Sequence, residues 1–65
     1  MIAEKIRTAR LEHKLSQAEL ARRLHVHYNA VWGWESGKYL PRAKLLLRLC
    51  EMFNLSFNDL NEKKN

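Results

Sequence analysis

The chain has 65 residues, enough for one domain with a small hydrophobic core. Cys50 is its only cysteine, which excludes a disulfide framework and is typical of a reducing compartment. The apolar run from Leu45 to Leu47 is too short to span a membrane, and the first residues lack the apolar stretch of a secretory signal. We therefore expect a soluble, cytoplasmic protein.

The charge balance is basic. Twelve Lys and Arg residues against seven Asp and Glu residues give a net charge of +5, and the pI is about 9.8. On so small a surface, this charge favours a polyanionic partner, above all nucleic acid. A net charge of this size also serves solubility alone, so charge does not decide the function.

Apolar residues recur with helical spacing along most of the chain, and no segment alternates like a strand. The spacing predicts a first helix over Ile2–His13. A second helix is expected to begin at Ser16, because the Ser16 hydroxyl and Glu19 match a capping box, and to end by His25. A third helix is predicted over Tyr28–Ser36.

The second half of the chain predicts two more helices. The fourth is expected over Pro41–Phe53, because proline suits a first helical turn, and Asn54 is a suitable left-handed stop. Ser56–Leu60 is expected to form a short fifth helix. Five short helices with brief connections predict a compact all-α domain over residues 1–60, followed by a short flexible tail at residues 61–65.

The second and third helices would be joined by a three-residue turn, so they must cross closely. A close crossing requires a small residue at the contact, and Ala21 meets that need. Five apolar residues are placed to pack the pair together: Leu20, Leu24, Val26, Val31 and Trp34. The opposite face of the third helix is left free, and a helix presented in this way fits the major groove of DNA.

Several segments in this region carry a family pattern. They are Leu15-Ser16-Gln17 with Glu19-Leu20-Ala21, Trp34-Glu35-Ser36-Gly37-Lys38 with Pro41, and Leu55-Ser56-Phe57-Asn58-Asp59-Leu60. Together and in register, they resemble the Cro/cI-type helix-turn-helix family of phage repressors and related bacterial regulators, without a gap from Ile2 to Leu60. The resemblance implies a five-helix, lambda-repressor-like DNA-binding domain with the helix-turn-helix at helices 2 and 3. It also implies the cytoplasm of a bacterial or phage-infected bacterial cell.

The resemblance also implies which residues contact DNA. Base edges would be read by His27, Tyr28, Asn29, Trp32 and Gly33. Phosphates would be contacted by Gln17, Lys38, Tyr39 and Arg42. Asn29 is the strongest candidate for base reading, because an asparagine amide can pair with both N6 and N7 of adenine. Arg10 and Glu35 match a pair with a structural role, which ties the first helix to the third.

Four positions depart from the family pattern. His25 stands where glycine is usual, although histidine tolerates a positive φ better than most residues. His27 replaces the usual serine or threonine cap of the third helix. Gly33 lies inside that helix at a cost of about 1 kcal/mol relative to alanine, so either DNA comes unusually close there or the position reads nothing. Trp32 suits either DNA contact or packing on a neighbouring chain.

The end of the chain is richer in apolar residues than a small core requires. Leu46, Leu47, Cys50 and Phe53 suffice for the inward face of the fourth helix. Five others are expected to form a surface for a partner: Leu45, Leu49, Met52, Phe57 and Leu60. A second copy related by a two-fold axis is the expected partner. The two recognition helices would then meet successive major grooves about 34 Å apart on a palindromic operator.

A rival hypothesis is a protein-interaction or antitoxin-like module on the same fold, in which Trp32 and the leucine-rich end bind a protein. An enzyme is not expected, because no Ser–His–Asp arrangement is recognisable and five short helices provide no substrate pocket. His25 and His27 lack a third ligand, so no metal or other cofactor is expected. Neither a membrane nor a small-molecule substrate is expected as a partner.

Overall fold

Residues 2–56 and 58, which are described by a computed structural model, contain four α-helices and no strand. The helices are α1 (Ile2–Glu12), α2 (Gln17–Leu24), α3 (Tyr28–Glu35) and α4 (Ala43–Phe53). The predicted all-α class is confirmed, and the described residues contain four helices. The expected fifth helix, Ser56–Leu60, lies mostly outside the described residues, as does the expected tail. No helix in the described ranges is long and apolar enough to cross a membrane.

The start of α2 is held by two reciprocal hydrogen bonds. The Ser16 hydroxyl accepts from the backbone N–H of Glu19 at 3.0 Å, and the Glu19 carboxylate accepts from the backbone N–H of Ser16 at 2.7 Å. This confirms the predicted capping box. The bond from the Ser16 backbone lowers the pKa of Glu19. The box therefore stabilises the fold at neutral pH and weakens as the pH falls through that lowered pKa.

The turn between α2 and α3 contains a left-handed residue that is not glycine. His25 has φ 60° and ψ 42°, and its N–H donates to the carbonyl of Arg22 at 3.2 Å. From α4, Arg48 donates to the carbonyls of Leu24 and Arg23 at 3.3 and 3.4 Å. These bonds satisfy acceptors that the end of a helix leaves open. The turn therefore forms with histidine in the position usual for glycine.

Some helix boundaries differ from the predicted ones. α1 and α3 each end one residue earlier than expected. α4 begins at Ala43, because the backbone of Arg42 is extended (φ −68°, ψ 160°) and its carbonyl accepts the first helical bond, from Leu46, at 2.8 Å. Pro41 therefore precedes the helix instead of opening it. Asn54 ends α4 in the left-handed region with φ 58°, as predicted.

The core lies where the inward faces of the four described helices meet. Its buried side chains are Ile6, Ala9, Leu20, Ala21, Leu24, Val31, Trp34, Leu46, Leu49, Cys50 and Phe53. Ala21 is among them, in agreement with the small residue required at the crossing of α2 and α3. α3 contributes Val31 and Trp34, as predicted, so its other side is not needed for the core.

The inward face of α4 differs from the prediction. Leu49, expected on a partner surface, is completely buried at 0% exposure, whereas Leu47, expected in the core, is 52% exposed. The buried stripe is Leu46, Leu49, Cys50 and Phe53, which has the i, i+3, i+4, i+7 spacing of one helix face. A helix with so many leucines has two plausible inward faces, and only packing against the other helices selects between them.

We expect Leu49→Ala to lower the free energy of unfolding by about 2–5 kcal/mol, because it leaves a cavity in the core. The matched control Leu47→Ala removes the same atoms from an exposed site and should change stability by less than about 0.5 kcal/mol. Urea unfolding followed by circular dichroism measures both values. Equal losses in the two variants would contradict the observed orientation of α4.

Candidate nucleic-acid interface

α3 is buried on one side and open on the other. Val31 and Trp34 face the core, while Tyr28, Asn29 and Trp32 are exposed. The helical period places positions 29, 32 and 33 on the side opposite the two buried residues. Three of the five residues that the sequence predicts to read bases, Asn29, Trp32 and Gly33, therefore share the outward face of this helix.

His27 caps the start of α3. Its backbone is extended, and its ring Nδ1 accepts a hydrogen bond from the backbone N–H of Asn29 at 3.1 Å. The imidazole is thus the N-cap acceptor at a position where a serine or threonine hydroxyl is usual. Because Nδ1 accepts, the neutral ring carries its proton on Nε2, which makes that atom a hydrogen-bond donor.

Gly33 lies on the outward side of α3 but is buried, because the ring of Tyr39 covers it. A Cβ at position 33 would lie 2.5 Å from both Cε1 and the hydroxyl oxygen of Tyr39, which is too close for a real contact. The Tyr39 O–H donates to the carbonyl of Asn29, one turn earlier, at 3.1 Å. Glycine at position 33 leaves room for the Tyr39 ring from the following loop. The sequence analysis offered only close approach of DNA or a position that reads nothing, and neither includes this contact.

The loop after α3 folds back onto the same helix. Lys38 Nζ lies 5.2 Å from the centroid of the Trp32 ring, within the range of a cation–π contact. The backbone N–H of Lys38 donates to the carbonyl of Gly33 at 2.9 Å. A predicted phosphate contact and a predicted base reader are therefore adjacent. Arg42, another predicted phosphate contact, is exposed at the start of α4.

A buried ion pair ties α1 to α3. Arg10 donates from Nε to Glu35 Oε2 at 2.6 Å and from Nη2 to Oε1 at 2.9 Å, and the two side chains are only 10% and 4% exposed. Arg10 Nη1 also donates to the carbonyl of Leu15 at 2.8 Å. The hydrogen-bonded carboxylate of Glu35 raises the pKa of Arg10, so the guanidinium stays charged. The structure thus brings together the two residues that the resemblance pairs.

Gln17 joins this ion pair at the start of α2. Its Nε2 donates to Glu35 Oε1 at 3.1 Å. The predicted phosphate contact is therefore oriented by the same carboxylate that holds Arg10. A primary amide has a second N–H and an oxygen, so the bond to Glu35 does not exhaust its capacity for hydrogen bonding.

A recess of about 260 Å³ opens beside this network. One residue that lines it, Arg7, was not among the predicted site residues. The recess is lined by Arg7, Arg10, Gln17, Trp32, Glu35 and Ser36. Arg7 is exposed and lies one helical turn before Arg10 on α1. That i, i+3 spacing places the two arginines on neighbouring parts of the helix surface and is the signal that would have identified Arg7.

A family model described as helix-turn-helix matches residues 6–60. The chain belongs to the Cro/cI-type helix-turn-helix family. Membership of this family favours a DNA-binding regulator. No solved structure matches the chain.

Relatives of this helix-turn-helix domain include an antitoxin and archaeal regulators. This chain is 32% identical over 60 residues to the antitoxin PezA of Streptococcus pneumoniae, and the match covers 92% of the chain but 38% of the antitoxin. It is 32% identical over 56 residues to HTH-type transcriptional regulators of Methanocaldococcus jannaschii and Archaeoglobus fulgidus, covering 86% of the chain and 85% and 79% of those proteins. The chain therefore spans well under half of the antitoxin and most of each archaeal regulator.

The partner surface expected for this helix-turn-helix domain is only partly exposed. Leu45 and Met52 are half-buried and pack against the core. Leu49 is not part of a surface, because it is completely buried in the core. Phe57 and Leu60 lie outside the described residues. Among the described residues, the members of the predicted surface that stay accessible are Leu45 and Met52, which form one edge of α4.

We expect Glu35→Leu to lower the free energy of unfolding by about 3–5 kcal/mol, because it leaves the Arg10 guanidinium buried without its counter-charge. The double variant Arg10→Met/Glu35→Leu should recover most of that loss, since an apolar pair fills the space without a buried charge. Urea unfolding of both variants gives the comparison. A double variant no more stable than the single one would show that the buried charge is not the cause.

Proposed function

We propose that this chain binds double-stranded DNA by placing α3 in the major groove, and that it acts as a repressor-like transcription regulator. The observation that carries the proposal is the outward face of α3, where Tyr28, Asn29 and Trp32 are exposed opposite the core. The family and the net charge of +5 support it. Occupation of a site that overlaps a promoter would be sufficient for repression.

Base reading is assigned to exposed residues at the start of α3. The Asn29 amide would accept from N6 and donate to N7 of an adenine. His27, with its proton on Nε2, would donate to N7 or O6 of a guanine. Tyr28 is exposed beside it, and the Trp32 indole would pack on sugars or on a thymine methyl group. These residues together would specify a short sequence.

Phosphate contacts are assigned to Gln17, Lys38 and Arg42, and we add Arg7 because it lines the same recess as Gln17. Gln17 and Arg7 border the recess beside Trp32, and Lys38 lies over the Trp32 ring. Arg42 is exposed at the start of α4. Contacts of this kind position the recognition helix and carry no sequence information themselves.

Binding to a labelled random duplex at two salt concentrations, measured by fluorescence anisotropy, tests this proposal. Affinity should fall steeply as salt rises, because contacts between basic residues and phosphates release counterions. Selection of bound sequences from a random DNA pool would then define the operator. No binding at low salt would overturn the proposal.

Two single variants separate the assigned roles. Asn29→Ala should weaken binding to the selected operator by about 1–3 kcal/mol and relax the preference at one base pair. Lys38→Ala should weaken binding to all sequences alike and reduce the salt slope by about one unit. Anisotropy titrations on the operator and on variant duplexes measure both effects. Equal losses of specificity in the two variants would contradict this division.

A homodimer on a palindromic operator forms a second part of the proposal. Two recognition helices related by a two-fold axis would meet successive major grooves about 34 Å apart. The edge of α4 formed by Leu45 and Met52 is the assigned contact surface. Leu47 is exposed on the other edge of the buried stripe of α4, so it provides a control site on the same helix.

We expect Met52→Glu to reduce the dimer fraction in sedimentation equilibrium at high micromolar concentration, because it places a charge in an apolar contact. Leu47→Glu adds the same charge on the other edge of α4 and should leave the dimer fraction unchanged. Circular dichroism checks that both variants fold. A wild-type chain that is monomeric under these conditions without DNA would count against the dimer.

A second candidate function is a protein-interaction module, and the 32% identity to the antitoxin PezA favours it. Three leucines outside the core are exposed and would suit a protein partner: Leu11, Leu40 and Leu47. In this case the chain would not need to bind DNA. The salt-dependent anisotropy experiment therefore distinguishes the two candidates.

A further inference from the structure

The ring of Tyr39 occupies the place on α3 where a side chain at position 33 would stand. Gly33 and Asn29 are one helical turn apart on the same outward face. A side chain at position 33 and the Tyr39 ring exclude each other, since even a Cβ would lie within 2.5 Å of the ring. Tyr39 is 47% exposed, so α3 covers one side of it and the other side remains open.

The loop is attached to α3 at several points near Tyr39. The carbonyl of Gly33 accepts hydrogen bonds from the backbone N–H groups of Lys38 and Tyr39 at 2.9 and 3.4 Å, and from the Ser36 hydroxyl at 3.2 Å. The Lys38 ammonium lies over the Trp32 ring. These contacts fix the loop to α3 and so keep the Tyr39 ring packed against the helix.

The hydrogen bond to Asn29 determines whether the Tyr39 hydroxyl can donate or accept a hydrogen bond with a ligand. A backbone carbonyl can only accept, so the Tyr39 O–H is the donor in this 3.1 Å bond. A hydroxyl has one proton, and what it can still offer is its oxygen as an acceptor. Phosphate oxygens are also acceptors, so this hydroxyl cannot donate to the DNA backbone while the bond to Asn29 persists.

We propose that Tyr39 reads a base edge in place of position 33, with its hydroxyl oxygen accepting a hydrogen bond from the amino group of adenine or cytosine. This role rests on the proposed binding of α3 in the major groove. Adenine N6 and cytosine N4 are the amino donors that the major groove displays, whereas guanine and thymine offer acceptors and a methyl group there. The base pair read by Tyr39 would lie close to the one read by Asn29, to which Tyr39 is bonded.

Selection of bound duplexes from a random pool, with the wild-type chain and Tyr39→Phe in parallel, tests this role. The variant keeps the ring over Gly33 and removes only the hydroxyl. We expect the preference for adenine or cytosine at one base pair to fall about two- to tenfold, as for one neutral hydrogen bond. The salt slope should not change, because no basic contact is lost.

Gly33→Ala gives an independent variant. Its methyl group must displace the Tyr39 ring, so the preference at the same base pair should fall by a similar factor. In a Tyr39→Ala background the same change should have no further effect on that base pair. This non-additivity is expected when two positions share one space. Alanine favours a helix over glycine, and circular dichroism checks that α3 is retained.

The possible outcomes are distinct. Reduced preference at one base pair in both Tyr39→Phe and Gly33→Ala supports base reading by Tyr39. An equal loss of affinity for every sequence in Tyr39→Phe would establish a backbone contact and overturn it, as would unchanged selection. If the wild-type chain shows no salt-dependent binding to DNA, the proposed function itself fails. Wild-type binding with unchanged preferences in the variants rejects only the role of Tyr39.

Discussion

The guanidinium of Arg10 lies where α1, the start of α2 and the end of α3 meet. It holds Glu35 through two hydrogen bonds and the carbonyl of Leu15, just before α2, through a third. Gln17 donates to the same carboxylate. Because both ions lose hydration, a buried pair adds little net stability. The main effect of this pair is geometric. A planar guanidinium bound to a carboxylate through two hydrogen bonds allows few orientations, so the pair sets the position of α3 against α1.

α3 depends on its neighbours to exist as a helix. It has 8 residues, and an isolated helix of that length is not stable in water. His27 caps its first turn, Val31 and Trp34 bury its inner side, and the loop binds the carbonyl of Gly33. The Tyr39 ring covers the gap that glycine leaves and offsets part of its helical cost of about 1 kcal/mol. The outward side chains of α3 are therefore not required for packing.

The parts of the scaffold that were predictable depend on neighbouring residues in the sequence. The Ser16–Glu19 capping box spans one helical turn, and the inward positions of Val31 and Trp34 follow from the helical period. The inward face of α4 did not follow in the same way, because Leu47 and Leu49 are equally apolar and only the other helices distinguish them. Pairing Arg10 with Glu35 required the family resemblance, since no local pattern links residues so far apart in the chain.

The surface proposed to read DNA was predicted only in part, because it is assembled from two segments. Along α3 alone, Gly33 is a gap, and the helical period contains no information about what fills it. Tyr39 fills the gap from the loop, and it bonds to the backbone of Asn29 in doing so. The outward surface of α3 is therefore a property of the helix and the loop together. For the proposed DNA-binding mode, it follows that specificity would not be assigned position by position along α3. A substitution in the loop would change the surface offered to DNA as directly as one in α3.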